Sequence, residues 1–133
     1  MSSKKEFLTG LVKDNDLNLE EDIFRQLRGG KQTAFITRTG IEKIQYNNNI
    51  TVRFEVVVMQ PNYAVIKAIA TKGDMVVESF GESTPENTKQ KPAYHSAMAE
   101  KRGLARVVLK AVGAYKFGVF GEDESDDFKV KGV

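Results

Sequence analysis

The chain offers few side chains able to make or break bonds, and their spacing narrows the chemistry further. His95 is the one histidine and cysteine is absent, so any nucleophile–base pair must use that single imidazole. Ser96 follows it directly, and adjacent helical residues do not face each other, which leaves His95 as a surface or helix-start residue. Without thiols, disulfides and thiolate–metal sites are excluded. Glu122, Asp123, Glu124, Asp126 and Asp127 supply hard oxygen ligands of the kind magnesium and calcium take. Their run lacks the glycine spacing of a calcium loop, however, and reads as a solvated tail or a cover for a basic surface. Neither phosphate-cradling glycine pattern is present. Glu100 falls near the apolar side of a helix, where a buried acid needs a hydrogen-bond or ion-pair partner. The expectation is a non-enzymatic protein with no catalytic residue, no metal and no cofactor.

What remains is cationic. Arg102, Arg106 and Lys110 recur every four residues, which puts them in one stripe of a helix. Lys89 and Lys91 precede them in a polar loop, and Tyr94 and His95 stand where a ring could stack on an unpaired base. Basic grooves with stacking rings bind single strands, and phosphate contacts gain affinity through counterion release. The plainer reading is a solvated helix face. Convergence of these cations on one concave face favours nucleic acid, whereas a scatter among acids favours a protein-interaction module.

The elements that must position these residues follow from periodicity. Residues 1–31 read as a lead-in with a short helix: Asn15 or Asn18 as cap, Glu20, Glu21 and Asp22 in the first turn, and Ile23, Phe24 and Leu27 as its apolar face. Gly29-Gly30 stops it. Residues 33–38 form a short strand broken by Gly40, and Ile41–Ile44 one helical turn. Three alternating strands follow, at about 50–59, 63–71 and 75–80, joined at Pro61-Asn62 and Gly73-Asp74. Their short connections imply an antiparallel meander with one buried face. After the polar loop 81–92, a helix spans about Ala93–Val112 and ends at Gly113. Ala97, Leu104, Val107, Val108, Ala111 and Val112 share its apolar face, with the basic stripe opposite. That apolar arc is wide enough to touch the sheet and a second surface, such as a neighbouring subunit. The fold class is therefore α+β, a three- to four-stranded antiparallel meander packed against one long helix in the C-terminal half, with a short N-terminal helix. The organisation is a lead-in (1–31), one domain (32–120) and an acidic tail (121–133).

The bulk numbers agree with one domain. The chain has 133 residues, 41% of them hydrophobic, 29% charged, with a net charge of +2. Charge is unevenly placed: residues 85–120 carry seven basic and two acidic side chains, and residues 121–127 carry five acids and no base. No apolar run approaches the roughly 18 residues of a membrane span, and no secretory stretch follows Met1. These features predict a cytoplasmic protein with no membrane partner.

The stretch from Ala97 to Lys110 (Ala-Met-Ala-Glu-Lys-Arg-Gly-Leu-Ala-Arg-Val-Val-Leu-Lys), then Gly113 and Gly121-Glu122-Asp123-Glu124, resembles small phage and prophage proteins. They are similar to the single-strand annealing recombinases, the Erf and Sak groups and their eukaryotic counterparts. Thr37–Ile44, the three strands and Glu78–Glu82 agree in order, so the likeness spans about residues 33–128. It implies single-stranded DNA binding, homo-oligomerisation into rings or filaments, and strand annealing in phage-type recombination without nucleotide hydrolysis. The site it implies is Lys101, Arg102, Arg106 and Lys110, with Lys89, Lys91, Arg53 and Lys67 contributing less. The chain departs from larger members in lacking their extended N-terminal helical region.

Overall fold

The computed structural model describes residues 3–28, 31–89 and 94–122. In chain order these form α1 (Ser3–Asn15), β1 (Ile23–Arg28), β2 (Lys31–Ile36), α2 (Arg38–Asn47), β3 (Thr51–Gln60), β4 (Tyr63–Lys72), β5 (Met75–Ser83), α3 (His95–Ala111), a 3-10 turn (Ala114–Phe117) and β6 (Phe120–Gly121). The architecture is α+β: an antiparallel β3-β4-β5 meander packed against α3, beside a small mixed sheet ordered β1-β2-β6. No helix among the described residues is long and apolar enough to cross a membrane.

The meander forms where alternation and turns place it. Gln60 pairs with Tyr63 and Lys72 with Met75, so both hairpins close over two residues, and Gly73 takes the positive φ (60°) that the second turn requires. Ala64, Ile66, Ala68 and Ala70 of β4 are buried. Three of these four are alanines, which lets the helix axis come close. Closest approach lies between Gly81 of β5 and Gly103 of α3: a Cβ on Gly81 would run into the backbone of Ala99 and Gly103. β5 continues to Ser83 rather than ending at Phe80, and the polar loop starts correspondingly later.

The wide apolar arc of α3 is satisfied within the chain. One side lies on β4 and β5, and the other meets α2, the 3-10 turn and β6. Leu109, Val107 and Val108 are fully enclosed there with Ile36, Ile41, Ile44 and Val119. Ala97, expected on the buried face, is exposed, and so is Glu100. The first turns of α3 bury His95 and Ala99 and turn Ala97 and Glu100 to solvent, so Glu100 needs no buried partner.

The N-terminal region departs most from expectation. The helix lies at Ser3–Asn15, and the segment expected to be helical, Ile23–Arg28, is a strand antiparallel to β2. The capping signal was locally sound. Asn18 Oδ1 accepts from the N–H groups of Glu20 and Glu21, and the N–H of Asp22 bonds the carbonyl of Asn18. One turn forms and then stops, because Ile23 and Phe24 gain more by pairing with Ile36 and Phe35 than by extending a short, poorly packed helix. The glycines expected to stop that helix lie outside the described residues. α1 joins the same core through Leu11, and Phe7 stacks on Phe117 with ring centroids 4.6 Å apart.

Gly40, expected to break a strand, sits in the first turn of α2, which extends over ten residues rather than one turn. Thr37 caps it, its hydroxyl accepting from the N–H of Gly40. A side chain on Gly40 would collide with Ile36 and the carbonyl of Asp22. Glycine is therefore required here by proximity. Asp22 is wholly buried and accepts from the N–H of Asn18, the Thr39 hydroxyl and Lys43 Nζ. Burial alone would push its carboxyl up, but those three donors outweigh burial and hold it below the usual carboxylate range.

Candidate nucleic-acid interface

The four-residue spacing of Arg102, Arg106 and Lys110 has a partner of matching pitch. Among the described residues β5 is an edge strand, so every second carbonyl points away from the sheet, at intervals of about 6.6 Å. Four residues of helix rise about 6 Å. α3 runs alongside, and the two rows meet in sequence. Arg102 Nη1 donates to the carbonyl of Glu82 at 3.0 Å, Arg106 Nη1 to that of Phe80 at 2.9 Å, and Lys110 Nζ to that of Glu78 at 2.8 Å. Edge carbonyls that would otherwise be open to another strand are capped by cations. The stripe, expected on the side of the helix opposite the apolar face, instead forms the seam between α3 and β5, and the plainer reading of a solvated face does not hold for Arg102.

Depth differs along the row. Arg102 is only 7% exposed, and its guanidinium also holds Asn87 Oδ1, the Asn87 carbonyl and Thr88 Oγ1 at 2.7–3.1 Å. Its fork of donors thus fastens the turn after β5, which is itself closed by reciprocal bonds between Thr84 and Asn87. Arg106 adds an ion pair with Glu82 at 2.6 Å. Lys110 stays exposed, with a neutral carbonyl as its contact.

At the head of the seam lies a buried polar cluster absent from the sequence-based expectation. Ser83 Oγ is 2.6 Å from both Thr88 Oγ1 and His95 Nδ1, and Thr88 in turn accepts from Arg102. His95 is buried rather than at the surface, and its partner is Ser83, twelve residues back, not the neighbouring Ser96. The cluster ties the end of β5, the loop and the start of α3 together. Lys89, next to Thr88, is thereby placed at the head of the cationic row, exposed; Tyr94, beside His95, is 67% exposed.

The other expected residues lie elsewhere. Lys101 lies on a different side of α3, at a shallow cleft shared with Ile36, Arg38, Ile41, Leu104, Ala105 and Glu122. Arg53 and Lys67 sit on the sheet face away from α3, engaged with Glu55 (2.8 Å) and Glu78 (3.2 Å). Lys91 and the acidic run from Asp123 onward lie outside the described residues. The structure thus aligns Arg102, Arg106 and Lys110, with Glu82 interleaved, leaves Lys89 and Tyr94 exposed next in sequence to Thr88 and His95 of the polar cluster, and separates Lys101, Arg53 and Lys67 from the row. Ser83, Asn87 and Thr88 had no motif to announce them; the turn-forming run Thr84-Pro85-Glu86-Asn87 was the available signal. Comparison with known proteins adds no relative to this picture: no family model, no curated protein and no solved structure matches the chain.

Proposed function

We propose that the chain binds single-stranded DNA along the α3–β5 seam and promotes strand annealing without nucleotide hydrolysis. The observation that carries this reading is the evenly pitched row Arg102, Arg106 and Lys110, headed by exposed Lys89 and Tyr94. Lys110, exposed yet held by its bond to the Glu78 carbonyl, loses little freedom on meeting a phosphate, and the exposed ring of Tyr94 offers a stacking surface. The meander-then-helix order implied by the resemblance to annealing proteins agrees with this. No bond chemistry is required: exposed Lys89 and Lys110 neutralise phosphates, the bases stay accessible, and complementary pairing supplies the driving energy.

The test uses a fluorescently labelled poly-dT oligonucleotide, titrated at low and moderate salt and followed by anisotropy. The variant is Lys89→Glu/Lys110→Glu, because these two exposed side chains can be reversed without removing the bonds that hold the loop. Wild type is expected to bind in a salt-sensitive way and the variant to lose binding. Wild type that fails to bind at low salt, or a variant that binds equally well, rejects the proposal.

A second reading, a protein-interaction module, is favoured by a separate observation. Val56, Val57, Met59, Tyr63, Val76 and Phe80 are large apolar side chains of the meander left exposed.

A further inference from the structure

The two edges of the meander are treated differently. The β5 edge is capped by Arg102, Arg106 and Lys110; the β3 edge has no strand paired to it among the described residues. β3 is ten residues long, rich in β-branched side chains, and α3 lies over β4 and β5 with little reach to β3. In consequence Val56 and Met59 are 64% and 47% exposed, and Val57, at the bulge, is 53% exposed. A long apolar edge of this kind is a template for another strand.

The sequence of the edge says which strand. We propose that β3 pairs antiparallel with β3 of a second copy of this chain, about a two-fold axis through Phe54. In that register residue 53 faces residue 55, so Arg53 of each copy lies directly opposite Glu55 of the other. Val52 lies opposite Val56, Phe54 opposite Phe54, and Thr51 opposite Val57. Directly opposed side chains of an antiparallel pair have Cβ atoms about 5 Å apart, where opposite charges attract and like charges repel. Within one copy Arg53 and Glu55 already share a sheet face and bond at 2.8 Å, so both are presented together on the side away from α3. On the other face, Val52, Phe54 and Val56 of the two copies form one apolar strip between the two α3 helices. The register ends at Val57, where the bulge between Val56 and Val58 turns the strand. The assembly is a six-stranded sheet, β5-β4-β3-β3-β4-β5, with closed two-fold symmetry.

This inference does not rest on the DNA reading, and its test contains no nucleic acid. Mass in solution is measured by sedimentation velocity for wild type, Arg53→Glu, Glu55→Arg, and an equimolar mixture of the two variants. Wild type is expected to be a dimer. Each single variant opposes like charges at both sites and is expected to be a monomer. In the mixture, both carboxylates of the Arg53→Glu chain face guanidinium groups of the Glu55→Arg chain, and the dimer mass is expected to return. A merely structural effect on one chain would not be repaired by mixing. Both side chains are exposed, and circular dichroism checks that the variants fold. Val56→Asp, on the opposite face of the strand, is expected to weaken the dimer as well. A monomeric wild type, an assembly whose mass no variant changes, or variants that stay apart when mixed would each overturn the proposal.

Discussion

Arg102 shows how one side chain can look functional in sequence and be structural first. Its guanidinium serves the carbonyls of Glu82 and Asn87 and the side chains of Asn87 and Thr88; lysine lacks the fork needed to reach all of them. Arg102→Ala leaves several of these acceptors without a donor and is expected to cost on the order of 3 kcal/mol by denaturant unfolding. If unfolding is unchanged while oligonucleotide affinity falls, the anchoring role is wrong. Asp22 makes a second residue-scale case. Its carboxyl is held below the usual range in the fold, against burial, by Asn18, Lys43 and Thr39. A depressed carboxylate contributes stability above its unfolded pKa, about 3.9, and loses it as pH falls through the folded value. Asp22→Asn is expected to lower stability at pH 7 by about 1–3 kcal/mol, and to lose less than wild type on acidification below about pH 4. Equal pH slopes for the two proteins would remove Asp22 from the acid-sensitive set.

Between elements, what decides is how closely they approach. β5 and α3 meet at Gly81 and Gly103, yet the two glycines are not equivalent. A Cβ on Gly81 drives into helix backbone, which cannot rotate away; one on Gly103 meets Ala68 Cβ and Gly81 N at 3.4 Å. Gly81→Ala is expected to cost about 1–3 kcal/mol or more and to shift α3 off the sheet. Gly103→Ala is expected to be far milder, since alanine regains up to about 1 kcal/mol of helix propensity. Thermal melts of the two variants check this, and equal destabilisation would place the closest contact elsewhere. The three meander strands and α3 were legible because period 2 and period 3.6 persist long enough to be distinguished. β1 was not. Six residues after a genuine capping turn carry too little periodicity to choose helix or strand, and β2 makes the choice by pairing.

For the whole molecule, the charge distribution matters more than the net +2. The cations meant for one site divide among three places: the α3–β5 seam, the Lys101 cleft and the open sheet face. Binding at the seam implies that Lys89→Ala and Lys110→Ala each reduce the slope of log K against log salt by about 0.7, the single-strand value per phosphate contact. Lys101→Ala is expected to leave that slope unchanged, and both seam variants are expected to melt like wild type. A Lys101 effect larger than theirs would move the interface to the other side of α3.

The sequence by itself determined the meander, its turns, the long helix and the four-residue cationic stripe, since each follows from periodicity and turn chemistry within a short window. It also carried the apolar width of α3, though not what covers it. Tertiary structure alone decided where the stripe points. A helix of about 3.6 residues per turn can present Arg102, Arg106 and Lys110 to solvent or to a strand edge of nearly equal pitch, and only the docking of α3 on β5 selects the edge. The same docking buries His95 beside Ser83 and exposes Glu100 and Ala97. Burial is a property of neighbours far apart along the chain, and no local pattern holds it.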